Sequence, residues 1–184
     1  MSILTGFITG QSIPDCTELS VKQRAFLDAS IVPKESILRY NFPWRKCATP
    51  VREISLLEAS WNNIRFCLGS MTPHFRTRFR DETMARIAGY DRVVLLAGSC
   101  GLELLDNLRF PVDLRKRLHV FAYGPVSRRV PLFASCRIIQ GRNDHLSRIF
   151  HDEADHIVTC GHLDYLEQPE TLAHFNSFYR TVIT

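Results

Sequence analysis

Apolar residues along this chain alternate between two spacings. Short β-branched and leucine runs read as strands, and stripes at three-and-four spacing read as amphipathic helices. Ser2 to Phe7, with Ile3-Leu4 as its apolar heart, predicts a strand that runs into a loop containing Gly6 and Gly10. A helix follows, starting near Asp15 or at the Ser20-x-x-Gln23 capping box and ending before Pro33. Ser36 to Phe42, stopped by Pro43, predicts the next strand. Strand, helix and strand in this order suggest a right-handed βαβ unit and a parallel sheet.

Between Pro50 and Gly89 the pattern turns helical. Ile54, Leu57, Trp61, Ile64 and Leu68 form an apolar stripe at helical spacing. Thr72-Pro73 reads as an N-cap with proline at the first helical position, opening a helix that runs through Ile87 and stops at Gly89. Arg76, Arg78, Arg80 and Arg86 crowd this helix. Two helices exceed what a single crossover needs, so the segment reads as a local elaboration.

The chain then converges on Arg92 to Leu105. Val93 to Leu96 has the composition of a strand buried on both faces. A turn of small residues follows, Ala97-Gly98-Ser99-Cys100-Gly101, and then Leu102, Leu105 and Leu108 recur at helical spacing. Ser99 therefore stands at a sharp strand-to-helix corner. Beyond it, strands are predicted at His119 to Tyr123, Cys136 to Gln140 and Ile157 to Thr159, with only a short connection, Val126 to Ser135, between the first two. A helix containing Ile149 and Phe150 separates the last two. Pro169 begins a closing helix whose Leu172, Phe175 and Tyr179 face the core. The expected architecture is α/β, a mostly parallel sheet of about six strands with helices on both faces. It forms one domain over residues 1–184.

Length and composition agree with that expectation: 184 residues, 45% of them apolar, suit a single domain with a sizeable core. No run approaches the roughly 18 apolar residues of a membrane helix, and the N-terminus lacks a basic stretch followed by an apolar one. A cytoplasmic protein without a membrane span is the default. The net charge of +4 is carried mostly by dispersed arginines, which permits acidic partners and does not argue for nucleic acid. Six cysteines (Cys16, Cys47, Cys67, Cys100, Cys136 and Cys160) occur singly and read as small buried hydrophobes.

Candidate chemistry gathers at strand ends. A serine hydroxyl needs an imidazole to accept its proton, and the imidazole needs a carboxylate to fix its tautomer. In a parallel sheet the loops after the strands share one edge, where ligands bind. Ser99, Asp144 and His162 each follow a predicted strand. Asp152 and Asp155 are rival acids, although Asp144 alone directly follows a strand. Cys100 is a rival nucleophile, weakened because Leu102 stands where a cysteine-centred elbow would need glycine. His145, His151, Asp152, Asp155, His156 and His162 form a His/Asp-rich stretch that matches no common zinc spacing. Neither phosphate-binding glycine motif is present. No cofactor is expected.

Ala97-Gly98-Ser99-Cys100-Gly101 resembles the nucleophile elbow of the α/β-hydrolase family, with alanine for the first glycine. Leu4-Thr5-Gly6-Phe7 resembles the family's oxyanion loop, Arg142-Asn143-Asp144 its acid turn and Gly161-His162 its histidine loop. The resemblance covers nearly the whole chain. It implies a catalytic Ser99, Asp144 and His162, with the Phe7 and Cys100 amides as oxyanion donors. It also implies hydrolysis of an ester or thioester through an acyl-enzyme. The chain departs from the family in Thr5, in the missing early strands, and in a very short connection where a lid is commonly inserted, so an open, shallow site is expected. Candidate substrate-binding residues are Trp44, Arg45, Tyr123, Arg128, Arg129 and Leu163. Their mixture of apolar surface and arginine suits a small acyl ester with an anionic end, or an acyl group delivered by an acidic carrier protein. The pimeloyl-carrier methyl ester esterases are of this kind. A catalytically inactive, hydrolase-like binding protein is the alternative.

Overall fold

The computed structural model describes residues 1–46, 49–50 and 52–184; Cys47 lies outside the described residues. The molecule is an α/β fold built on a five-stranded, all-parallel sheet. Its strands are β1 (Ile3–Ile8), β2 (Arg92–Gly98), β3 (Leu118–Tyr123), β4 (Ser135–Gly141) and β5 (His156–Val158), and they lie side by side in chain order. Phe7 pairs with Leu96 across β1 and β2, and Leu96 with Phe121 across β2 and β3. β2 and β3 have neighbours on both sides and helices on both faces, which is why Val93 to Leu96 is apolar without alternation.

The sixth expected strand, Ser36 to Phe42, does not form. One parallel bridge joins Ile37 to Thr5, and an antiparallel bridge at Tyr40 then turns the segment toward Glu18. Physically, the stretch is framed by Pro33 and Pro43 and carries charge at Glu35 and Arg39. It lies beyond the edge of β1, where the described residues offer no further strand to pair with.

Period-two alternation in the strands sorts two cores. On one face Leu4, Ile8, Val93, Leu95, Ala97, Val120 and Ala122 pack with residues of α2 (Leu56–Ser70), α3 (Pro73–Ile87), α4 (Gly101–Asn107) and α5 (Val112–Arg115). On the other, Phe7, Val94, Leu96, Phe121 and Ile139 pack against α1 (Val21–Ala29) and α7 (Pro169–Ile183). The remaining α-helix, α6 (His145–Phe150), lies between β4 and β5 in the chain.

Helix starts follow the local sequence. Ser20 Oγ accepts from the Gln23 amide at 3.2 Å while Gln23 Oε1 accepts from the Ser20 amide at 2.8 Å, completing the capping box of α1. Thr72 caps α3 ahead of Pro73. The stripe of α2, by contrast, faces outward. Leu57, Trp61, Ile64 and Leu68 are exposed. The inward face carries Phe66 and Cys67, which pack on the core, and Ser70, which bonds Asn107. An apolar stripe ordinarily marks the inward face; here it does not. Among the described residues, no helix is long and apolar enough to cross a membrane.

Candidate active site

The site is assembled at the carboxyl edge of the sheet. β2 ends at Gly98, and Ser99 takes φ +52°, a left-handed conformation unusual for a residue with a side chain. Close packing maintains that corner. A Cβ at Gly98 would overlap the Tyr123 ring, and one at Gly101 would overlap the Ile8 carbonyl. The backbone of Ser99 is held on both sides: its amide donates to the Tyr123 carbonyl at 3.3 Å, and its carbonyl accepts from the Val126 amide at 2.9 Å. The half-buried hydroxyl is thereby lifted off the end of the strand.

His162, brought in by the loop after β5, places Nε2 3.2 Å from Ser99 Oγ. Its Nδ1 lies 2.9 Å from Asp144 Oδ2. An ionised carboxylate only accepts, so Nδ1 carries the proton and Nε2 is left to accept from the serine. Asp144 follows β4 and is 1% exposed. Its Oδ1 accepts from the Ser147 amide at 3.0 Å, capping α6, and its Oδ2 also accepts from Tyr165 Oη at 2.7 Å. Burial alone would raise the carboxyl pKa. The hydrogen bonds from His162, the Ser147 amide and Tyr165 outweigh it and hold the group below the usual aspartate range. The same burial and the same bond push the Tyr165 phenol up, so that it remains a donor.

The serine, histidine and acid predicted from sequence are thus brought together, and the rival acids are not. Asp155 accepts from the Ile138 amide at the edge of β4, and no contact joins Asp152 to His162. The Cys100 thiol is buried and turned toward Cys67; its hydrogen bond there and its burial raise its pKa, so it is poorly suited to attack. Cys160 is likewise buried, and Cys16, Cys67 and Cys136 are partly so.

The other expected site residues are held by contacts of their own. Phe7 is not at a strand end: it is wholly buried within β1, and its carbonyl accepts from the Trp44 indole at 2.7 Å. In an extended strand the N–H of a residue points the same way as its carbonyl, so the Phe7 amide faces away from Ser99. The segment that does reach the corner is Thr9-Gly10-Gln11, where Gly10 lies beside the Cys100 sulfur. Trp44, 1% exposed, is a core residue packed edge-on to Phe42. Tyr123 is buried under Gly98 and against Phe7. Arg45 pairs with Glu82 at 3.2 Å. Arg128 and Arg129 tie the β3–β4 connection down to α4 through Glu103 and Asp106, at 2.6 Å and 2.9 Å. Leu163, beside His162, is the candidate that stays exposed at the site.

The sequence pointed to a loop with Gly6 and Gly10 but placed the corner at Phe7 instead of Thr9–Gln11. Tyr165 carries no sequence signal, being a lone tyrosine three residues past His162. The His/Asp-rich stretch disperses. His151 contacts Ser127, His156 stacks on His174, and His162 faces Asp144.

No protein-family model matches the chain, and no curated protein matches it either.

Proposed function

We propose that the chain is a serine hydrolase of the α/β-hydrolase type that cleaves a carboxylic ester or thioester through an acyl-enzyme. One observation carries this reading: the continuous relay from Ser99 Oγ to His162 Nε2 and from His162 Nδ1 to Asp144 Oδ2, at 3.2 Å and 2.9 Å, with the serine on a left-handed corner. Ser99 Oγ attacks the acyl carbon as its proton passes to His162 Nε2. Asp144, ionised and buried, stabilises the resulting imidazolium. The Cys100 amide and an amide of the Thr9–Gln11 loop hold the developing oxyanion. His162 then returns the proton to the departing alkoxide or thiolate. A water activated by the same imidazole hydrolyses the acyl-serine and restores Ser99.

Leu163 and the open corner suit a small acyl group. A carrier-bound acyl substrate, as taken by the pimeloyl-carrier methyl ester esterases, would require the acidic partner to compete with Glu103 and Asp106 for Arg128 and Arg129. The displacement of the Phe7 amide favours a second reading, a hydrolase-like binding protein without activity. Fluorophosphonate labelling and p-nitrophenyl acyl ester turnover separate the two. Labelling should be lost, and turnover should fall about a thousandfold or more, in Ser99→Ala. Wild type that neither labels nor turns over leaves the binding-protein reading.

A further inference from the structure

A cavity of about 430 Å³ opens at the far end of α4, between that helix, α5 and the β3–β4 connection. Ser99 does not line it. Three guanidinium groups do, those of Arg109, Arg115 and Arg129, against the single carboxylate of Asp106. That carboxylate is already engaged, by Arg129 through two bonds of 2.9 Å and 3.1 Å and by Arg109 at 3.8 Å. Among the described residues Arg115 has no carboxylate partner, and its Nε is withdrawn from water without an acceptor. Arg115 itself lines the cavity, so an oxyanion seated there would supply the counter-charge that its guanidinium group lacks. The remaining wall is apolar, with Phe110 buried and Leu132 84% exposed at the rim.

We propose that this cavity binds the phosphate or carboxylate head of a small amphiphilic anion, the head on Arg115 and its neighbours and the apolar part along Phe110 and Leu132. Three guanidinium groups against one carboxylate leave an excess of two positive charges, which selects for an anion through charge-assisted bonds that water and chloride match poorly. The volume suits a small molecule rather than a peptide. The site is independent of the chemistry at Ser99.

Calorimetric titration of the intact protein with inorganic phosphate, and separately with decanoate, at constant ionic strength tests this. Saturable one-site binding is expected for at least one probe. Arg115→Leu should weaken it about tenfold or more. Leu132→Glu, which places a like charge at an exposed rim position without touching the core, should weaken it comparably and serves if Arg115→Leu fails to fold. Ser99→Ala should bind as wild type does. Phosphate binding alone assigns a phosphate head, decanoate binding alone assigns a carboxylate head with an engaged tail, and both together assign a head of either kind. Absence of saturable binding by either probe overturns the proposal. So does binding of equal strength in wild type and Leu132→Glu.

Discussion

Of the serine–histidine pairs among the described residues, two near the β3–β4 connection and the sheet's carboxyl edge are opposites, while a third, His119 and Ser135 at 2.8 Å, lies at the start of β3 and β4. Ser99 faces His162 across 3.2 Å, and Ser127 faces His151 across a shorter 2.9 Å. Between these two, contact distance alone would favour Ser127 and His151. The third partner reverses that order. Ser127 Oγ donates its proton to the Arg129 carbonyl at 3.1 Å, so His151 Nε2 must be the donor and cannot serve as a base toward it. Ser99 Oγ has its proton to offer, because Asp144 fixes His162 in the opposite tautomer. Ser127 is also 2% exposed, out of a substrate's reach, whereas Ser99 is half-buried. Ser99 is thus set apart from Ser127 by what else its hydroxyl and its imidazole are bonded to. Ser127 and His151 instead fasten the β3–β4 connection.

The contrast can be broken from the reactive side first. Asp144→Asn keeps the shape but removes the charge and the tautomer preference, and should lower kcat about ten-thousandfold in ester turnover. Tyr165→Phe deletes one of the two bonds on Asp144 Oδ2. About a tenfold loss in kcat with KM unchanged is expected, since Tyr165 acts through the acid and touches no substrate; an effect on KM alone would contradict this role. On the structural side, Ser127→Ala should leave kcat within about twofold and lower stability by about 1 kcal/mol in denaturant unfolding. A loss of turnover as large as that of Asp144→Asn would erase the distinction between the pairs.

The smallest effect is on pH dependence. Burial depresses the His151 pKa, so below its ordinary range the unfolded chain binds a proton that the folded chain resists. Stability should therefore fall as pH drops through about 6.5 toward the folded value, and His151→Gln should flatten that slope in unfolding curves measured between about pH 7 and 5. Asp144 adds a loss of the same sign at lower pH. Its folded pKa is depressed, so its contribution is present above the ordinary aspartate value and disappears as pH falls through the folded one.

How legible the site was depended on whether its determinants were local. Strand–turn–helix around Ser99 is written in consecutive residues, and the strand ends before Asp144 and His162 follow from short apolar runs. All five strands could be read in this way. The direction a helix faces could not. Leu57, Trp61 and Ile64 on α2 and Phe175 and Tyr179 on α7 show comparable spacing, yet the first set is exposed and the second buried. The difference lies in what each helix meets. α2 packs beside α3, whose Phe75 and Phe79 join Phe66 in an aromatic cluster, so its inward face is set by partners remote in sequence. The Ser36–Phe42 strand failed for a related reason: β propensity there had no second neighbour to pair with. Arg128 and Arg129 were placed at the site mouth because nothing in the local pattern foretold Glu103 and Asp106 beneath them.

The left-handed backbone at Ser99 has one further consequence. A side chain held at φ +52° opposes folding by an amount on the order of 1 kcal/mol, and glycine would not. Ser99→Gly should therefore melt higher than Ser99→Ala, even though both lack the hydroxyl. On the function proposed above, a lineage released from the need for a nucleophile would gain stability by replacing the serine with glycine, and its descendants would be more robust proteins without that activity.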